Sequence, residues 1–211
     1  MIKKYSIAVA GNMGVGKSTL TRLLAKELGW TPFYEAVDDN PYLADFYKDM
    51  PQWSFHSQIY FLSRRLDYHR HVESHPNSVI QDRSIYEDAE IFARNLHQRS
   101  NMSNRDYQVY RDLYEGFARL LPPPDLIVYL KASVPTLIER IHRRGREFER
   151  DVSPLYLQQL NELYNAWIDD FTFCPVLTIE TDYLDFVRFD HDFVRIKDEI
   201  TTSLRPEMVL A

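Results

Sequence analysis

The stretch Gly11-Asn12-Met13-Gly14-Val15-Gly16-Lys17-Ser18, followed by Thr19, holds three of the chain's six glycines and ends on a Lys-Ser pair. These residue types at this spacing can hold a polyphosphate. Glycines let the backbone curl until successive N–H groups point at phosphate oxygens, and a helix starting at the lysine adds its positive end. Lys17 can reach the outer phosphates, and the Ser18 hydroxyl stands where Mg²⁺ needs a ligand. A glycine-rich turn that only joined a strand to a helix would have no use for the Lys-Ser pair. Here the full G-x-x-x-x-G-K-[ST] pattern is met.

A second group of chemistry-bearing residues lies late in the chain: Arg140-Ile141-His142-Arg143-Arg144-Gly145-Arg146. Guanidinium forks match phosphate oxygens and can neutralise charge that develops on a transferred phosphoryl group. On its own the segment reads equally as a solvated, basic helix end. Beside an intact phosphate loop it reads as a lid, at about residues 143–152, that closes over the substrates. A third group is acidic. Glu35 ends one short apolar run, and Asp82 ends another, directly before Arg83-Ser84. A carboxylate beside an alcohol can take its proton, and one beside phosphates can hold Mg²⁺ or its waters.

To converge, these groups need strands ending side by side. Short apolar runs at Tyr5–Ala10, Pro32–Glu35, Ser78–Gln81, Leu126–Leu130 and Val176–Ile179 alternate with helical patterns. The helices fall near Lys17–Leu28, Trp53–Val72, Ile85–Leu96, Ser103–Leu121 and Pro154–Phe171, with a last one from about Asp190. Ser133 is placed to cap a further helix that carries Pro135 in its first turn. Strands alternating with helices predict a three-layer α/β fold, a five-stranded parallel sheet with helices on both faces, and ligands at the carboxyl ends of the strands. Gln58 shares a helical stripe with Phe55, Phe61 and Leu62, and Arg65 lies seven residues on along the same face. A polar amide among apolar neighbours needs a hydrogen-bonding partner, and the edge of a nucleobase can be one.

The bulk numbers narrow the function. The 211 residues suit one domain over 1–211, and 45% hydrophobic with 27% charged is a globular composition. A net charge of −6 without a basic block argues against a nucleic-acid partner. No run is long enough for a bilayer, and a lone Cys174 suits a reducing compartment, so the expectation is a cytoplasmic protein. The D-x-x-G and N-K-x-D segments of switch GTPases do not occur. His69, His71 and His75 lie at a polar helix end and read as solvated, and Tyr107–Tyr114 reads as packing.

The sequence resembles the deoxyribonucleoside kinase family over nearly its whole length. The resemblance is carried by the phosphate loop, Glu35-Ala36-Val37, Tyr47 before Trp53, Trp53-Ser54-Phe55-His56-Ser57-Gln58, Asp82-Arg83-Ser84, and Arg144-Gly145-Arg146 with Glu149 beyond. Asp39-Asn40-Pro41-Tyr42-Leu43 and Gln81–Asp88 are most similar to the bacterial deoxyadenosine/deoxycytidine kinases. The resemblance implies an ATP- and Mg²⁺-dependent enzyme with a P-loop kinase fold, working as a homodimer on small-molecule substrates. It implies Glu35 as the base for the 5′-hydroxyl, Arg83 as the group steering that hydroxyl and the phosphates, and Asp82 with Ser18 at the metal. Tyr47 and Glu149 would hold the sugar 3′-hydroxyl, Gln58 the base edge and Phe92 its face. Arg140, Arg144 and Arg146 would be the lid arginines on ATP. Arg65 and Asp88 would fill the space of a thymine methyl. Ser57 departs from relatives that carry an aromatic residue there. The rival readings are a deoxyguanosine-preferring kinase, a nucleoside monophosphate kinase (its D-G-F-P-R-like segment is absent), and a non-catalytic P-loop regulator.

Glu35→Gln is expected to lower kcat by about 10²–10⁴-fold, the usual worth of a positioned base, with little change in nucleoside KM. Steady-state kinetics that return near-wild-type turnover would remove Glu35 from the base role.

Overall fold

The computed structural model describes residues 3–34, 39–146, 149 and 152–204. Glu35, and with it the tail of the second apolar run, lies outside the described residues, as do 147, 148, 150 and 151 of the expected lid.

Five strands form one parallel sheet in the order β2-β3-β1-β4-β5. Strand β1 (Ser6–Gly11) runs down its centre, with β3 (Val79–Asp82) on one side and β4 (Leu126–Lys131) on the other. The outer strands are β2 (Thr31–Phe33) and β5 (Val176–Glu180). The chain leaves β1 for one edge and later returns to the other side of it, so β1 sits where the winding reverses. Crevices at the carboxyl ends of strands open at such reversals.

Alternation along the central strands explains the three layers. Ile7 and Val9 of β1, with Leu126, Val128 and Leu130 of β4, face helices α1 (Lys17–Leu28), α7 (Val134–Arg144) and α9 (Asp190–Ser203). Ala8, Ala10, Ile127 and Tyr129 face the opposite layer. That layer is built from α3 (Met50–Ser74), α6 (Asn104–Ala118), most of α8 (Pro154–Asp170) and the short helices after β3. Both faces of β1 are buried, at about 1.5–3 kcal/mol for each large aliphatic side chain removed from water, so its polar chemistry is confined to its end.

A short helix α2 (Leu43–Lys48), not anticipated from the periodicity, precedes α3. Asp49 caps α3 by accepting from the Gln52 amide at 3.2 Å, and Ser103 caps α6 by accepting from Asp106 at 3.1 Å. At α7 the expected cap differs: the Ser133 hydroxyl meets that of Thr136 at 3.1 Å, and the Ser133 amide is held by Asp182 at 2.8 Å. The helix expected after β3 is divided into α4 (Ile85–Glu87), a π-helical turn (Asp88–Ala93) and α5 (Arg94–Gln98). A wider turn changes the angular step between successive side chains. Tyr110 and Tyr114 are buried in the core as their spacing suggested. Among the described residues no helix is long and apolar enough to cross a membrane, and no cluster of His, Cys, Asp and Glu could hold a metal by itself.

Candidate active site

The glycine-bearing loop leaves the end of β1, and its geometry explains its composition. Gly11 has φ 140°, and a Cβ there would stand 2.5 Å from the Leu130 carbonyl oxygen of the adjacent strand. Gly14 has φ 80°, with a hypothetical Cβ 2.7 Å from Ile141 and 2.9 Å from the Leu137 carbonyl of α7. Only glycine lets the loop press against both neighbours. Gly16 then leads into α1, whose first residue, Lys17, is 7% exposed and donates to the Asn12 carbonyl at 3.1 Å.

Asn12 faces away from the open side of the loop. Its amide donates to the Leu157 carbonyl at 2.9 Å and to Asn161 at 2.8 Å, while its oxygen accepts from the Met13 amide at 2.7 Å. Its side chain therefore anchors the loop to α8 rather than lining the crevice. Behind Gly11 lies Glu87, fully buried, accepting from the Gly11 amide at 3.2 Å and the Tyr164 hydroxyl at 2.8 Å. Its other oxygen accepts from the Ser84 amide at 2.9 Å, closing a capping box at the start of α4. Burial pushes the Glu87 carboxyl above its ordinary range, and the charges of Arg83 and Lys17 pull it back.

The end of β3 supplies the next groups. Asp82 is 2% exposed, and among the described residues its Oδ1 has no hydrogen-bond partner. Arg83 follows with φ 74°, a left-handed conformation that costs a non-glycine residue about 1–3 kcal/mol. It is over-determined by its surroundings: its amide donates to the Val9 carbonyl at 3.0 Å, and its guanidinium lies 4.1 Å from the centre of the Phe92 ring. The strain turns Arg83 out of the sheet direction toward the crevice.

Two cavities meet at the loop. The larger, about 690 Å³, is lined by Gly14, Val15, Gly16, Lys17, Ser18 and Thr19, by Arg140, Arg144 and Arg146, and by the 182–189 segment. The smaller, about 310 Å³, is lined by Tyr47, Gln58, Asp82, Arg83, Asp88, Phe92 and Glu149. Lys17, Ser18, Arg144 and Arg146 line both. Met13 lines the smaller cavity, whereas Gly11 and Asn12 line neither.

Within the smaller cavity Gln58 is 5% exposed, and among the described residues its Oε1 lacks a hydrogen-bond partner. Arg65 sits behind the wall, donating from Nε to Asp88 Oδ2 at 2.9 Å and from Nη1 to the Asp82 carbonyl at 3.1 Å. Ser57, the departure from relatives with an aromatic residue there, is fully buried and accepts from the Asn40 amide group at 3.1 Å. Tyr156 of α8 also lines this cavity, and burial pushes its phenol up to about 12 against the pull of Arg83 and Arg99. Its position was invisible in the sequence because α8 reads as a packing helix, with no spacing that marks one tyrosine.

The expected lid arginines have protein partners in this structure. Arg140 donates to the carbonyls of Val15, Thr181 and Leu184 at 3.1, 2.6 and 3.2 Å, and to the Thr181 hydroxyl at 3.0 Å. Its guanidinium braces the phosphate loop against the segment after β5, at the wall of the larger cavity. Arg144 and Glu149 form a close ion pair, and Arg146 reaches the other Glu149 oxygen at 3.5 Å. Glu149, expected at a sugar hydroxyl, is therefore already engaged with the lid arginines.

Comparison with known proteins places this geometry in context. A deoxynucleoside kinase family model matches residues 7–205. The chain is 41% identical over 204 residues to the deoxyadenosine/deoxycytidine kinase of Bacillus subtilis, covering 96% of this chain and 94% of that one. It is 37% identical to the deoxyguanosine kinase of the same organism, covering 90% and 93%. Among solved structures, the deoxyadenosine kinase of M. mycoides with dCMP and dCDP bound superposes with a TM-score of 0.83 at 31% identity, covering 93% of this chain and 99% of the other.

Asp88→Ala would leave the Arg65 guanidinium buried beside a missing charge, and removal of one partner of a buried pair typically costs about 3–5 kcal/mol. Urea unfolding of the purified variant is expected to show a loss of that order, and a loss below about 1 kcal/mol, the worth of an exposed pair, would mean the pair is hydrated and not part of the cavity wall.

Proposed function

The chain belongs to the deoxynucleoside kinase family, and from that premise we propose that it transfers the γ-phosphoryl group of ATP to the 5′-hydroxyl of a deoxyribonucleoside, with deoxyadenosine and deoxycytidine the favoured acceptors. The observation that carries this reading is the seam between the cavities. Lys17, Ser18, Arg144 and Arg146 border both, so a donor in the larger space and an acceptor in the smaller one would meet at these four residues. Phosphoryl transfer is mostly positioning and charge stabilisation, and such a seam supplies both.

The loop amides and Lys17 bind the donor phosphates, and the 182–189 segment flanks the donor's base. Ser18 and Asp82 suit a hard divalent cation: both are oxygen donors, both line the smaller cavity, and Asp82 Oδ1 is buried without a hydrogen-bond partner among the described residues. Mg²⁺ bound there would neutralise charge on the phosphates. Glu35, on the family resemblance, takes the proton of the 5′-hydroxyl, and Arg83 steers that hydroxyl. Tyr47 holds the sugar. In the Arg144–Glu149 pair the guanidinium is partly exposed and the carboxylate buried. A triphosphate can draw Arg144 and Arg146 away, which lets the lid close and exposes Glu149 to the 3′-hydroxyl.

The acceptor preference follows from the lining. Gln58 Oε1 and the Asp88 carboxylate both accept hydrogen bonds. Adenine and cytosine each present an exocyclic amino donor beside a ring nitrogen acceptor, which suits a Gln amide together with a carboxylate. Thymine presents a carbonyl and a methyl there, and the Arg65–Asp88 pair leaves no place for the methyl. Phe92 stacks on the base. Exposed Val109 and Leu113, four apart on α6, support a homodimer through that helix, and light scattering should return twice the chain mass.

A panel of nucleosides at fixed ATP is expected to give kcat/KM for deoxyadenosine and deoxycytidine at least about 10²-fold above thymidine, the discrimination of one unmatched polar edge or about 2.7 kcal/mol. Equal turnover of thymidine would overturn the base assignment, and a maximum at deoxyguanosine would move the chain to that branch of the family.

A further inference from the structure

Glu87 plays no part in the mechanism above, yet among the described residues it is the most deeply buried carboxylate beside the site, with no exposed surface. It faces two backbone amides from different elements. Oε1 accepts from Gly11, at the entry to the phosphate loop, and Oε2 accepts from Ser84, the residue after the strained Arg83. Tyr164 of α8 donates to the first oxygen, and the Ser84 hydroxyl lies 3.4 Å from the second. Gly11 and Ser84 stand at the ends of neighbouring strands, so one carboxylate fixes where each strand's loop begins.

This inference rests on the kinase reading. We propose that Glu87 is a positioning residue for phosphoryl transfer, holding the donor's phosphate loop and the acceptor-steering Arg83 in fixed register through two backbone amides. Both amides can only donate, so the group between them must accept on two atoms, and a carboxyl does so through its two oxygens. Burial raises the Glu87 carboxyl above its ordinary range, and the charges of Arg83 and Lys17 act against that rise. An amide in its place has one acceptor oxygen, so its NH₂ must face either the Gly11 or the Ser84 N–H, donor against donor. One of the two loops then loses its anchor. A register error of the order of 1 Å at such a site costs about 10²-fold in rate.

The test compares wild-type protein, Glu87→Gln and Tyr164→Phe for kcat, for KM of ATP and of deoxyadenosine, and for thermal unfolding. Glu87→Gln should lose about 10- to 100-fold in kcat while deoxyadenosine KM stays within about threefold, because Tyr47 and Gln58 are untouched. Tyr164→Phe removes a donor to the same carboxylate but leaves both amide links, and should keep kcat within about threefold even where its Tm falls. A Glu87→Gln enzyme with near-wild-type kcat, or an equal kcat loss in Tyr164→Phe, would overturn the proposal and reduce Glu87 to packing. If Glu87→Gln fails to fold, amide hydrogen exchange on the wild-type protein decides. Gly11 and Ser84 should be protected together, with and without a non-hydrolysable ATP analogue, and rapid exchange at either overturns the link. A wild type that phosphorylates no nucleoside removes the kinase reading and this inference with it. An active wild type beside an unimpaired Glu87→Gln removes only the inference.

Discussion

A site that receives a polyphosphate must gather positive charge at one place, and that charge has to be stabilised when no phosphate is bound. The carboxylates around the crevice meet this constraint. Glu87 lies in the field of Lys17 and Arg83, Asp88 is paired with Arg65, and Glu149 holds Arg144 and Arg146. Glu87 is fixed by Gly11, Ser84 and Tyr164, and Asp88 accepts from Arg65. The Arg144–Glu149 pair differs in joining a buried carboxylate to a half-buried guanidinium.

The sheet explains why these charges can lie so close together. A parallel sheet covered on both faces leaves its polar chemistry only at strand ends, and the order β2-β3-β1-β4-β5 sets the end of β1 directly beside that of β3. The phosphate loop and Asp82-Arg83 thereby become neighbours, though some seventy residues separate them along the chain. Helix α8 closes the arrangement from behind. It carries Asn161, which receives the Asn12 side chain, Tyr164, which reaches Glu87, and Tyr156, which lines the smaller cavity.

Local signals are legible in this sequence and relational ones are not. The strands are apolar runs bounded by turn residues, and the phosphate loop is a contiguous pattern, so both are legible without neighbours. Gln58 was legible because a polar residue in an apolar stripe is anomalous on a helix by itself. Arg140 could be read only as one of a run of arginines, which look alike in sequence. Only the tertiary structure brings the carbonyls of Thr181 and Leu184 to its guanidinium. The π turn at Asp88–Ala93 was also missed, since its periodicity differs from that of an α-helix by a fraction of a residue per turn.

The amino-acid sequence by itself determined the phosphate loop, the alternating strand and helix order, the polar residues available at strand ends and the family to which they point, because each is written in residues adjacent or regularly spaced along the chain. The tertiary structure alone decided which of those polar groups face a shared crevice, which arginine is spent on backbone carbonyls, and that a buried glutamate joins two loops. Those outcomes depend on distances between elements remote in sequence, and hydrogen bonds and burial act on distance in space, not on position along the chain.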